Sequence, residues 1–245
     1  VFRYDLAVSQ RYPAVRAGVI HATGLVNAPS PPRLLAEYRA EQQAALDRLA
    51  ATAIADIPSV AAWRRVFASF GAKPTQYRNA AEALLRRLGK QGGIPSLDLL
   101  VDLGNLVSIR YAMPVAVVDW AGVTGAITVR FATGDELFDD LGSSASVTPD
   151  PGEVIFTDEK NVVSARRWCW RQSVQSATSP ATTEALIVVE GHHDSAGPDT
   201  ARAVRDLSEL LARYQPASEV TSWLISPDSR EDEGTERATH PVEQR

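Results

Sequence analysis

The chain has 245 residues, 44% of them hydrophobic and 22% charged, with a formal net charge of −5 at pH 7. That is one large domain or two small ones, with enough chain to bury a sizeable core; the charge excludes a generally basic nucleic-acid binder, so any RNA contact has to come from a local patch. A lone cysteine, Cys169, excludes an internal disulfide and zinc sites of the Cys₂ to Cys₄ kind. With no run of about 18 apolar residues and no secretory pattern at Val1–Asp5, the expected location is cytoplasmic, without a membrane.

Residues 1–26 alternate weakly and read as strands. The stacked prolines of Asn27–Pro32 make a loop, because they remove backbone donors and fix φ. Arg33 to Ala51 has the composition and apolar spacing of a helix. Pro58 opens a second helix that ends near Gly71, and a third is predicted over Gln76–Leu88, stopped by Gly89. Ser96 is the expected N-cap of the next segment, 97–108, which is too apolar for a surface helix and is read as buried. Gly104 inside it costs about 1 kcal/mol relative to alanine. It marks either close packing or an approach of something else to the backbone. Asp102, Asn105 and Ser108 follow at intervals of three; they either order the local backbone or line a pocket.

From Pro114 the pattern changes to strands: Val115–Trp120, Ala126–Phe131, Glu153–Thr157, Asn161–Arg171 and Ala185–Glu190. An amphipathic helix is predicted over Gly197–Tyr214. From Ser226 onward the chain is acidic and polar, and a disordered tail is expected over 226–245. Helices followed by strands, without regular alternation, indicate an α+β fold. A single domain is expected over 1–225, with strands and helices in 1–93, a core motif in 94–191 and the helix at 197–214.

The chain lacks GxGxxG after a strand, GxxxxGK[ST], HExxH and GxSxG, which argues against the usual nucleotide-binding, zinc-protease and serine-hydrolase arrangements. His192-His193-Asp194 is either a metal pair, a general base with its orienting partner, or a polar strand-to-helix connection. Neighbouring residues of an extended chain point to opposite faces, so the metal reading is set aside and no cofactor is assigned. In Arg166–Arg171, read as a strand, Trp168 and Trp170 share one face, and Arg167, Cys169 and Arg171 share the other. This is either a stacking platform backed by phosphate-binding arginines, or a core face backed by a solvated one. Cys169 is read as a buried structural cysteine rather than a nucleophile. Glu190, at the end of an apolar strand, poses the same question as Asp102.

Residues 94–142 resemble a known family. The string Ile94-Pro95-Ser96, Val101-Asp102-Leu103-Gly104-Asn105, Pro114, Asp119, Gly125, Val129-Arg130 and Leu141-Gly142 looks like the B3/4 domain of the bacterial phenylalanyl-tRNA synthetase β subunit, and extends loosely over 76–191. Gly152–Asp158 and Arg167–Arg171 look more like the free-standing B3/4 proteins. The resemblance implies a three-layer fold around a β-sandwich, contact with the aminoacylated 3′ end of tRNA, and hydrolysis of a mischarged ester such as tyrosyl-tRNA(Phe). Synthetase activity itself is not implied. Carried over residue by residue, Asn105 matches the pocket asparagine, Gly104 stands where threonine is common, and Glu190 matches the pocket glutamate. The editing histidine falls at Ala116. The resemblance therefore makes Asn105 and Glu190 the candidates to hold the hydrolytic water, with Gly104, Ala116, Arg167, Trp168, Trp170, Arg171 and His192 around the substrate. The alternative is a non-catalytic module that binds tRNA or a free amino acid.

Overall fold

The computed structural model describes residues 1–141 and 146–227. In chain order the first elements are β1 (Phe2–Tyr4), α1 (Leu6–Arg11), β2 (Arg16–Thr23), α2 (Pro32–Ala51), α3 (Pro58–Ser69), α4 (Ala80–Gln91) and α5 (Leu99–Tyr111). Then come β3 (Val115–Asp119), β4 (Ile127–Phe131), β5 (Phe138–Asp139), β6 (Ser146–Val147), β7 (Val154–Thr157), β8 (Val163–Arg166) and β9 (Arg171–Gln172). The last three are β10 (Glu184–Gly191), α6 (Ala196–Tyr214) and β11 (Glu219–Ile225).

Two sheets form the centre. One is antiparallel throughout, in the order β11-β2-β10-β3; the other runs β1-β4-β7-β8-β9, with only β1 and β4 parallel. Side chains alternate across a strand, and β10 uses both of its faces. Ile187 and Val189 pack with α2, α4, α5 and α6; Leu186 and Val188 pack with Val129 and Phe156 of the second sheet. The layers are therefore helices, sheet, sheet, and the α+β, three-layer expectation holds. Among the described residues no helix is long and apolar enough to cross a membrane.

Local chemistry explains the element ends. Pro32 and Pro58 occupy the first turns of α2 and α3, where a missing N–H costs nothing. The cap of α5 is Asp98 rather than Ser96: its carboxylate accepts from the Val101 N–H at 2.9 Å. Ser96 instead donates to Asp102. Asp102 also accepts from Ser30 at 2.6 Å and from the Leu97 N–H at 3.1 Å, so this buried carboxylate pins the loop before α2 to the loop before α5. Ser108 donates to the Met113 carbonyl at 2.7 Å and closes the other end of the helix. Both residues order backbone. Gly104 is a close-packing site: a Cβ there would lie 2.9 Å from Val117 and 3.5 Å from Val115, on which α5 rests.

Several boundaries differ from those expected. Leu6–Arg11 is a helix within the stretch read as strands; it is short, and Asp5 caps it by accepting from the Ala7 N–H. The third predicted helix starts later, at Ala80, where Asn79 accepts from the Glu82 N–H at 2.9 Å. It passes through exposed Gly89 and ends at Gly92, which takes the left-handed conformation. The predicted strand 161–171 is broken by a turn. β11 pairs along the whole of β2, in a stretch to which no element was assigned. The expected tail, apart from Ser226 and Pro227, and Gly142 of the family-like string lie outside the described residues.

Candidate functional site

Glu190 stands near the end of β10, on the face that looks toward the second sheet, and is 3% exposed. Val188 pairs with Ala116 on β3, and the Glu190 N–H reaches the Pro114 carbonyl. Ala116 is therefore the small residue diagonal to Glu190 on the same face. The opposite wall is the 167–170 turn between β8 and β9. Its backbone enters the left-handed region at two successive non-glycine residues, Arg167 (φ 44°) and Trp168 (φ 62°). Each costs of order 1 kcal/mol, and the surroundings hold them there. Arg167 pairs with Asp150 at 2.9 Å, and the Trp168 N–H donates to the Val154 carbonyl.

This reversal corrects the strand reading. Trp168 and Trp170 do not share a face. Trp168 turns inward, is fully buried, and donates its indole N–H to Glu190 Oε1 at 2.9 Å. Trp170 stays half-buried at the rim, with Arg167 and Arg171 against its ring.

A narrow cleft of about 70 Å³ lies between the two walls. Its floor is Val115, Ala116, Val188 and Glu190; its other side is Phe156, Ala165 and the chain from Trp168 to Gln172. It is mostly apolar, with few polar groups converging, as ligand sites are. The Gln172 amide N–H₂ donates to the carbonyls of Val117 and Ser176, so it shapes the wall.

Electrostatics single out Glu190. Burial pushes its carboxyl up to about 7, while donors from Tyr4 and Trp168 pull the other way. Both described hydrogen bonds, from the Tyr4 hydroxyl and the Trp168 indole, end on Oε1. Tyr4 is itself held well above its ordinary value, first by burial and then by Glu190. Cys169 lines the same cleft, and burial with the nearby Glu190 pushes its thiol up. It is therefore no thiolate nucleophile.

The other expected residues divide. Ala116, Trp168, Trp170, Arg171 and Glu190 are brought together at the cleft. Arg167 faces a neighbouring groove with Lys73, Tyr77 and Glu153. His192 lies behind Trp168, edge-on to Trp63 at 4.4 Å and to Trp168 at 4.9 Å. Burial holds it neutral, with its value down at about 3. His193 turns the other way and meets Asp199 at 2.8 Å, so the two histidines do not converge.

Gly104 and Asn105 are not part of the cleft lining. Gly104 packs on β3 from the helical side. Asn105 follows it beside Tyr38, whose phenol is raised by burial and by Asp102 and lowered by Asn105. The pairing of Asn105 with Glu190 over one water is thus not what the fold brings together. Tyr4 and Gln172 had no sequence signature: one comes from a three-residue strand, the other from a two-residue strand.

The family model described as "B3/4 domain" matches residues 62–222, well over half of the chain. A phenylalanine–tRNA ligase β subunit from Photorhabdus laumondii is 33% identical over 92 residues, covering 37% of this chain and 11% of that subunit. One from Shewanella oneidensis is 34% identical over 71 residues, covering 29% and 9%. The matched region thus spans about a tenth of those subunits. A crystallised N-terminal fragment of the phenylalanyl-tRNA synthetase β subunit from Pyrococcus horikoshii aligns over 90% of this chain and 50% of its own, with 9% identity and a TM-score of 0.49. The chain belongs to the B3/4 domain family, related to the phenylalanyl-tRNA synthetase β subunit.

Proposed function

We propose that this B3/4 domain takes the aminoacylated 3′ end of a tRNA into the Glu190 cleft and hydrolyses the ester. The observation that carries the reading is a buried carboxylate, raised to about 7, on the floor of an apolar cleft. A general base works best with a value near the operating pH. The carboxylate of Glu190 removes a proton from water as the water oxygen attacks the ester carbonyl. The tetrahedral intermediate then collapses, the proton passes to the departing ribose oxygen, and the free amino acid and uncharged tRNA leave. Tyr4 and Trp168 hold the carboxylate in place through Oε1. The apolar walls take the amino-acid side chain. The family resemblance supports the substrate class, and the domain acts within residues 1–225.

The test is deacylation of a panel of aminoacyl-tRNAs by the wild type and by Ala116→Phe, which fills the floor of the cleft. Turnover by the wild type and its loss in a folded Ala116→Phe protein support the reading. An intact panel overturns it.

A second reading is favoured by Ala116 itself, which stands where the family resemblance expects histidine. Under it the cleft binds tRNA or a free amino acid without chemistry. Calorimetric binding of either ligand, with no release of amino acid from the charged panel, decides for it.

A further inference from the structure

The β11-β2-β10-β3 sheet has two edges, and they are finished differently. At the β3 edge the Asp119 N–H donates to the Ser176 carbonyl at 2.9 Å, and the Gln172 amide donates to the Val117 carbonyl at 2.8 Å, so that edge is covered. The edge strands of the second sheet, β1 and β9, are only three and two residues long. β11 is neither covered nor short. It pairs with β2 over all seven of its residues, and its outer side meets no strand among the described residues. It carries no proline and no lysine, and its one charge is Glu219, at its start. An outer strand of this kind is a template for another chain, and the usual devices against such pairing are absent.

The surface beside this edge is apolar. An open groove of about 450 Å³ runs between α6 and β11, with Ala201, Val204 and Ser208 on one side and Val220, Ser222 and Leu224 on the other. Leu224 is 54% exposed. Trp223 and Ile225 pack on the other face, against the core between the two sheets. That packing holds β11 in place while its groove face stays open.

The charges of α6 say what fits there. Asp199 pairs with Arg202, Asp206 with Arg110, and Arg213 with Glu37. The other two charged residues of the helix, Arg205 and Glu209, are exposed, and neither has an ion pair among the described residues. Val204 and Leu224 both lie against Gly18. With rises of about 1.5 Å per helical residue and 3.3 Å per extended residue, the turn from Arg205 to Glu209 then lies beside the middle of β11.

We propose that β11 is the docking edge for a second copy of this chain, joined antiparallel about a two-fold axis through Ser222, so that the two sheets become one continuous sheet. A two-fold contact needs a surface that is its own complement. Val220 of one copy then stands opposite Leu224 of the other, and the outer main-chain groups of both strands find partners. Arg205 of each α6 faces Glu209 of the other, so charges left over in one chain are matched in two. The nearest alternative occupant, the 228–245 segment, contains no leucine, isoleucine or aromatic residue with which to fill an apolar groove. β2 separates this edge from β10 and Glu190, so association and the chemistry of the cleft are measured independently.

The experiment is sedimentation velocity of the full chain across the micromolar range. The wild type forms a dimer as concentration rises. Leu224→Lys places two ammonium groups at the seam and weakens the dimer at least about a hundredfold. Arg205→Glu and Glu209→Arg each set like charges opposite one another, twice per dimer, and weaken it about tenfold. Mixed in equal amounts, these two charge variants form a heterodimer about as tight as the wild-type dimer, because one copy then presents only carboxylates at the contact and the other only guanidinium groups. All three positions are exposed, and circular dichroism checks that each variant is folded.

A wild type that stays monomeric overturns the proposal and leaves the groove to the 228–245 segment or to a different protein. A dimer that all three variants leave intact overturns it too, because it uses another face. Failure of the two charge variants to rescue one another overturns the antiparallel two-fold arrangement.

Discussion

Burial and two donors set the state of Glu190. Desolvation favours its neutral form, and the Tyr4 and Trp168 donors oppose that by bonding to the charged form. The sign of each substitution follows. Tyr4→Phe removes one donor and leaves the packing volume, so the Glu190 value rises further above 7. Its titration by carboxyl ¹³C resonance moves to higher pH, and the acid limb of the pH–rate profile moves with it. An unchanged midpoint would mean that the Tyr4 hydroxyl does not hold the carboxylate. At the same scale, Ala116 explains how the cleft stays open. It is diagonal to Glu190, so any large side chain there stands over the carboxylate.

Elements were legible in the sequence where periodicity and composition agreed: α2, α3, α5, α6 and the strands β3, β4, β7 and β10 fall close to their expected ranges. The failures lie where distant partners decide the local structure. Arg166–Arg171 alternates like a strand, yet two left-handed residues reverse the chain, an arrangement that propensity disfavours and that tertiary partners enforce. β11, to which no element was assigned, owes its existence to pairing with β2, distant in sequence. The contact of α6 with the central sheet is similarly non-local. It depends on Gly18 of β2, where an added Cβ would overlap Val204 and lie 2.9 Å from Thr200. Gly18→Ala therefore pushes α6 off the sheet, with an expected loss of about 1–3 kcal/mol in urea unfolding. A neutral result would show that the helix can slide at no cost.

Across the whole molecule, the family and the layer order were readable from residues 94–142, whereas the cleft was only half readable. The strand pattern placed Ala116 and Glu190 at ends of strands. Nothing in the one-dimensional string brings Tyr4 to Glu190 or separates Asn105 from it, because both relations depend on which face of the sheet each element covers. The buried carboxylate also has a global consequence. Its folded value, about 7, lies above its ordinary 4.5. The native state therefore holds this proton more tightly. The stability it confers is fully present below about pH 4.5 and is lost as pH rises through about 7. The shift corresponds to roughly 3 kcal/mol. Glu190→Gln lacks this loss, so its stability gains on that of the wild type across the same window, as chemical denaturation at a series of pH values would read. Parallel profiles for the two proteins would place Glu190 in a solvated setting.

The most direct measurement is single-turnover deacylation of a charged tRNA panel by the wild type and Glu190→Gln, both shown to be folded. The account predicts release of amino acid by the wild type, rising with pH through about 7, and a rate at least about a hundredfold lower in the variant. Equal rates in the two proteins, or no release by either, would contradict it.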